Sequence, residues 1–360
     1  MKKKIISYII NPFKIFHVLS YKVSYFLDNR RLIAFDTAHN KRVSTNKPFI
    51  LILREHGFRY NQHFLDWIDK KYPQISGKIW LGRLPGQLPP LNNATLLIPW
   101  FQDPLRERNA RLFALARNIE DKFIQQNRAV INPVSCLSLA IKSSALKLLH
   151  EGGLRTAKVM PVNDPSEFLS DNAGIKYPFI IRCDIQHGSE TYLIRNPAEL
   201  DCVHWRNIAS PIAMEFIDVV SPDEYYRKYR MMVIGDTCLP RHLLISKNWN
   251  THLKERITED WALKEEQQFV EGSHPKASQL LIKARRVLGL DVVTFDFGID
   301  RLGEIVIWEP NPFPTYWFTR NESYYSQNDK DAIEKIYETL LQYYLKRSGI
   351  PDAASLLPPL

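Results

Sequence analysis

The chain has 360 residues, of which 45% are hydrophobic and 24% charged, and a formal net charge of +9. Such proportions belong to a globular protein with room for two or three cored domains, and the positive balance favours an anionic partner, whether nucleotide, nucleic acid or membrane surface. The four cysteines (Cys136, Cys183, Cys202, Cys238) are scattered without a CxxC or zinc spacing, which excludes a cysteine-based metal framework and leaves a reduced cytoplasmic protein as the expectation.

The first segment, MKKKIISYIINPFKIFHVLSYKVSYFLDNRR, is basic and apolar. Lys14 and Lys22 interrupt it before it reaches the roughly 18 apolar residues of a transmembrane helix, and no small-residue cleavage site follows. Ile6, Ile9, Phe13 and Phe16 lie at helical spacing, with a kink expected at Pro12. Two readings stand: a helical extension packed on its own domain, or a basic amphipathic helix that brings residues 1–30 to a membrane surface, such as the inner membrane face.

From residue 48 the pattern alternates. PFILILRE predicts a fully buried strand, YNQHFLDWIDKKY a helix, and GKIWLGRLP and NATLLIPWFQ two further strands. PLRERNARLFALARNIEDKFIQQN predicts one long amphipathic helix and RAVINPV a closing strand. Strands alternating with helices imply a parallel α/β layer. The strand ends of such layers usually bind ligands, so Arg54, Glu55, His56, Gln102 and Asp103 are candidates to face a substrate, with ordinary loop polarity as the alternative.

The texture changes near Ser138. SLAIKSSALKLLHEGG predicts a helix stopped by glycines. The segments YPFIIRCDI, ETYLIR, IAMEFIDVV, KYRMMVIG, CLPRHLLIS, VVTFDFGID and EIVIWEP follow as mostly antiparallel strands, with a helical stretch from Ile257 to Leu288 between them. KDAIEKIYETLLQYYLKR predicts a last helix before a proline-containing tail, and the chain carries no internal repeat or low-complexity tract.

Two hairpins collect charge. VVTFDFGIDRLGEIVIWEPN folds about Asp300–Gly303, which places Asp296 opposite Glu309, with Asn311 on the same face. Two carboxylates held opposite each other destabilise a sheet unless a cation lies between them, and two carboxylates with an amide oxygen suit Mg²⁺ that draws its other ligands from phosphate and water. A solvated edge protected against aggregation is the alternative. YRMMVIGDTCLPRHLLIS turns at Gly235-Asp236 and predicts Arg230 opposite Arg241, two guanidiniums suited to phosphate or carboxylate. Locally paired arginines are the alternative there.

The order of these pieces, from Asn132 to Pro314, resembles the ATP-grasp superfamily. The resemblance implies two antiparallel-sheet lobes enclosing a nucleotide, preceded by a small parallel, flavodoxin-like α/β domain. It divides the chain into a basic helical extension (1–45), the preceding α/β domain (46–133), a first lobe (134–214), a second lobe with the metal site (215–345) and a tail (346–360). It also implies roles. Lys142 and Arg182 meet nucleotide phosphates, Arg182 standing where the family usually has lysine. His187, Gly188 and Ser189 lie in the loop that covers the phosphates, which here has a single glycine. Glu215, Phe216 and Ile217 form the adenine hinge, and Asp218 is a ribose ligand, with Asp223 competing for that role. Arg230 and Arg241 flank the γ-phosphate and an acyl phosphate, and Asp296, Glu309 and Asn311 hold Mg²⁺, with Mn²⁺ as an alternative ion. The implied activity is ADP-forming ligation of a small-molecule or peptide carboxylate, of amino-acid, peptide or cell-envelope type, to an amine acceptor. A kinase acting on a hydroxyl group and a degenerate nucleotide-binding scaffold are the alternatives. Trp317, Arg320 and Asn321 would line the same cleft. No nucleic-acid recognition motif is visible, so nucleic acid is not an expected partner.

Overall fold

FILILRE, the first strand (β1, Phe49–Glu55), is buried at all seven positions, as expected of a central parallel strand covered on both faces. In the computed structural model, which describes residues 30–55, 62–102, 104–170, 174–185, 190–312 and 327–350, it pairs in parallel with β2 (Ile79–Leu84) and β3 (Ala94–Trp100). The short β4 (Ala129–Val130) completes a sheet of order β2-β1-β3-β4. The period of two along β1 divides its neighbours. Ile50 and Ile52 pack with Phe64, Leu65 and Ile68 of the helix Gln62–Lys71. Phe49, Leu51 and Leu53 pack with Leu112, Ala116 and Phe123 of the helix Ala110–Gln125.

The single long helix expected over 104–127 is in fact two, Leu105–Arg108 and Ala110–Gln125. Asn109 divides them. Its side chain accepts from the Leu112 amide at 3.0 Å and starts the second helix as an N-cap, a bond that an asparagine inside a helix could not make.

Two antiparallel sheets follow. The first has the order β5-β8-β6-β7, from β5 (Val159–Pro161), β6 (Phe179–Cys183), β7 (Thr191–Ile194) and β8 (Pro211–Glu215). The second has the order β10-β9-β11-β12, from β9 (Tyr226–Ile234), β10 (Thr237–Ser246), β11 (Val292–Ile299) and β12 (Ile305–Asn311). The edge strand β5 and the helix Pro165–Ser170 were not expected, because each is too short to show a period. The stretch from Ile257 to Leu288 forms two helices, Asp260–Glu271 and Pro275–Val287.

The helix Gln327–Ser348 joins the halves. Ile336, Leu340 and Leu341 share one core with Ile50 and Ile98 of the parallel sheet and with Met232, Ile234 and Val292 of the second antiparallel sheet. Asn132 pins the same junction. Its Nδ2 donates to the carbonyls of Val292 (2.6 Å) and Pro312 (2.8 Å), and its Oδ1 accepts from the amides of Asp291 (2.9 Å) and Val292 (3.0 Å). Its backbone φ of 51° is left-handed, a conformation that asparagine tolerates better than most residues.

Among the described residues no helix is long and apolar enough to cross a membrane. The amphipathic segment 1–29, the loop residues His187, Gly188 and Ser189, and His56, Asp103, Trp317, Arg320 and Asn321 lie outside the described residues.

Candidate active site

The turn at Asp300 sets the register of the β11–β12 hairpin. The Asp300 carboxylate accepts from the amides of Leu302 and Glu304, each at 2.9 Å, and Gly303 takes a φ of 77°. Phe297 pairs with Ile307, and one extra residue in β12 then brings Asp296 opposite Glu309, with Thr294 opposite Asn311. Asp296 is also the partner of Arg230 on β9, and Arg230 is the partner of His242 on β10. Cross-strand partners share a face, so His242, Arg230, Asp296 and Glu309 form one row across all four strands.

The expected pairing of Arg230 with Arg241 is corrected by this register. β10 is irregular between Pro240 and His242, and Arg241 is the extra residue. Proline has no N–H to give to a ladder and collects at such irregularities. Arg241 is buried and lies close enough to Tyr337 and His242 for its charge to act on both.

Cations surround the two carboxylates. Arg230 donates to Asp296 from Nε at 2.5 Å and from Nη2 at 2.7 Å, and Lys228 Nζ lies 3.9 Å from the same carboxylate. Lys142 Nζ and Arg182 Nη2 each stand 3.7 Å from Glu309. Burial pulls the Lys228 ammonium below its ordinary range, and Asp296 opposes that shift. Lys142 is brought in by its helix, Lys142–Glu151, whose first turn is tied to the end of β6. There the Ser143 amide donates to Asp184 Oδ1 at 2.9 Å and the Ser143 hydroxyl to Oδ2 at 2.5 Å. Arg182 on β6 thus reaches from one antiparallel sheet to Glu309 on the other.

The donor set can be tested against a divalent ion. Among the described residues no three or more His, Cys, Asp or Glu side chains gather as a metal cluster. Two facing carboxylates with Asn311 nearby fit Mg²⁺, which keeps waters and binds through one or two carboxylates plus substrate phosphates. Arg230 would have to yield part of Asp296 to the ion.

Between the two antiparallel sheets lies a cleft of about 150 Å³, smaller than the roughly 300–1,000 Å³ of typical small-molecule sites. Arg182, Lys228, Asp296 and Glu309 line it together with Ile180, Met214, Phe216, Ile217, Val306 and Trp308. Phe216 meets Trp249, another lining residue, edge to face at 5.8 Å. Trp308 is the extra residue where β12 shifts register against β11, and its ring lies over Gly298, where a Cβ would come within 2.4 Å of Trp308 Cζ2. Gly298→Ala is therefore expected to push the indole into the cleft. Its cost should be about 1–3 kcal/mol of stability, the usual range for overpacking, seen as a lower urea midpoint with a changed tryptophan emission spectrum.

Neither a protein-family model nor a curated protein sequence matches this chain. Solved structures do match. D-alanine–D-alanine ligase from Bacillus anthracis in complex with ATP superposes with a TM-score of 0.52 at 12% identity, over 84% of this chain and 97% of that one. The ATP-grasp ligase PsnB, complexed with a minimal precursor, Mg and ADP, gives 0.51 at 15% identity, over 80% and 97%. A RimK domain ATP-grasp protein from Sphaerobacter thermophilus DSM 20745 gives 0.51 at 12% identity, over 82% and 99%.

The chain has the ATP-grasp fold.

Within the ATP-grasp cleft the structure brings together Arg182, Glu215, Phe216, Ile217, Asp296 and Glu309, with Lys142 and Arg230 against its carboxylates. Asp218 and Asp223 are both engaged elsewhere. Asp218 pairs with Arg301 at 2.8 Å, and Asp223 accepts from both Nη atoms of Arg227 at 2.9 and 2.7 Å. Sequence reading overlooked Lys228, although it sits two residues before Arg230 and so shares its face. Trp249, Asn250, Thr251 and His252 also line the cleft, from an irregular segment with no periodic signal.

The strand ends of the parallel sheet differ from expectation. Arg54 is fully buried and pairs with Asp36 and, at 3.2 Å, with Gln62. Glu55 is gripped by Arg108 at 2.8 and 2.6 Å and accepts from the Gln102 amide at 3.1 Å. These groups pair with one another.

Proposed function

We propose that the protein is an ATP- and Mg²⁺-dependent ligase that joins a carboxylate to an amine through an acyl phosphate, with ADP as product. The carboxylate is of amino-acid, peptide or cell-envelope type. The observation that carries this reading is the pair Asp296–Glu309, ringed by Lys142, Arg182, Lys228 and Arg230, at a cleft between two antiparallel sheets. Phosphoryl transfer needs positioning and charge neutralisation more than a covalent nucleophile, and this cleft supplies those two things.

Phe216, Ile217 and the apolar lining take the base, while Lys142, Arg182 and Lys228 meet the phosphates. Asp296 and Glu309, with Asn311, would hold Mg²⁺, which when bound neutralises phosphate charge. The substrate carboxylate oxygen attacks the γ-phosphorus, the bond to the β,γ-bridging oxygen breaks, and ADP departs. The amine nitrogen then attacks the acyl carbon, the carbon–oxygen bond to phosphate breaks, and the amine loses its proton to solvent. Arg230 stands where the transferred phosphoryl group develops charge.

The test is thermal unfolding with ATP and with ADP, each with and without Mg²⁺. A ligand at 100 times its Kd stabilises by about 2.7 kcal/mol, so a Mg²⁺-dependent rise in Tm is expected. Screening carboxylates with hydroxylamine in place of the amine should then yield an acyl hydroxamate together with ADP. ADP release without hydroxamate would mark transfer to a hydroxyl group instead. No shift with any nucleotide would overturn the reading.

A further inference from the structure

The row across the second antiparallel sheet continues past Arg230 to His242. Its side chain is buried, and neither ring nitrogen has a hydrogen-bond partner. Leaving a buried polar group unpaired is costly, and one that does so on the sheet face carrying Asp296 and Glu309 calls for an explanation. The charges that act on it most strongly are cationic: Arg230 and Lys228 from β9, Arg241 from its own strand, and Arg256 from the segment after β10. Burial, reinforced by those four charges, holds the imidazole well below its ordinary pKa. The ring is therefore neutral, with one N–H to donate and one nitrogen to accept.

We propose that His242 is a specificity-determining contact for the phosphoryl acceptor, donating its N–H to an oxygen of the substrate carboxylate and of the acyl phosphate formed from it. The inference rests on the ligase reading above and names the residue that would read the acceptor end of that site. Position is the first argument. Asp296 and Glu309 lie at one end of the row, Arg230 is in the middle, and His242 is next in line on the side away from the carboxylates. Charge is the second. A fifth cation would hold the acceptor carboxylate tightly but draw electron density from the oxygen that must attack phosphorus. A neutral donor orients that oxygen without this loss, and the surrounding cations keep the donor neutral.

The test uses inorganic phosphate as the probe, titrated calorimetrically into the full-length protein saturated with ADP and Mg²⁺. The wild type is expected to bind phosphate. His242→Phe should weaken it by about tenfold or more, the scale of one hydrogen bond to a charged group, with ADP affinity unchanged. His242→Gln, which keeps an N–H donor, should recover part of the loss. In wild-type protein labelled with ¹⁵N-histidine, phosphate should move the His242 ring resonances, a readout that does not depend on any variant folding. Equal phosphate affinity in His242→Phe, or ring resonances that phosphate leaves unmoved, would overturn the role of His242 and leave the ligase reading intact. Failure of the wild type to bind ADP with Mg²⁺ would overturn both.

Discussion

Exchanging Glu309 for glutamine should abolish the Mg²⁺ dependence of nucleotide binding while leaving metal-free ATP bound as well as before, or better. Four cations, Lys142, Arg182, Lys228 and Arg230, stand within 4 Å of two carboxylates, Asp296 and Glu309. The cluster carries a net charge of +2, and the substitution raises it to +3. Polyphosphate is therefore attracted more strongly, but the ion loses one of two carboxylates placed on neighbouring strands. In the wild type, Mg²⁺ should add to the rise in Tm that ATP produces, up to the scale of about 2.7 kcal/mol at 100 times Kd. In Glu309→Gln the curves with and without the ion should coincide, and turnover should be lost. The amide keeps the size of the side chain, so folding is unaffected by volume. A Mg²⁺-dependent shift that survives in the variant would place the ion away from Glu309 and sink the assignment of this row as the metal site.

What could be read from the sequence, and what could not, follows from how far apart the relevant residues lie in the chain. The approach of Asp296 to Glu309 was legible because a tight turn separates the strands, although counting from that turn alone puts Trp308 opposite Asp296 and one extra residue in β12 supplies the last step. The same counting failed in the neighbouring hairpin, where one extra residue before His242 moved Arg241 out of the row. Pro240 was the visible warning, but a proline signals an irregularity without giving its size. The buried run of β1 announced the parallel sheet. The pairing of Arg54 and Arg83 with Asp36, from the helix over 30–40, left no mark, because a carboxylate in one element says nothing about which guanidinium will reach it. Asn132 is a similar case. Its four bonds to residues 291, 292 and 312 join pieces some 160 to 180 positions distant.

Asp36→Ala should be the most damaging single substitution outside the cleft, at about 3–5 kcal/mol, the range for breaking a buried ion pair by removing one partner. Asp36 serves two guanidiniums at once, Arg54 and Arg83, and the side chains are 7%, 0% and 7% exposed respectively. Neither arginine has a reserve. Arg54 Nε and Arg83 Nη2 already lack partners, and what would remain is Gln62 for the first and the Glu55 carbonyl, at 3.1 Å, for the second. Burial pulls the Arg54 guanidinium down to about 10 even with Asp36 beside it, which shows how poorly solvated the charge is. Because the core of the parallel sheet runs through the helix Gln327–Ser348 into the second antiparallel sheet, the loss should appear as an earlier unfolding of both halves, measured as a lower urea midpoint with an unchanged slope. Replacing the whole triad by apolar residues, Asp36→Leu with Arg54→Met and Arg83→Met, should cost much less than Asp36→Ala alone, since it removes the stranded charges with their partner. If the alanine variant stays within about 1 kcal/mol of wild type, the range of an exposed pair, then water must reach these strand ends and the three charges are not sealed from it.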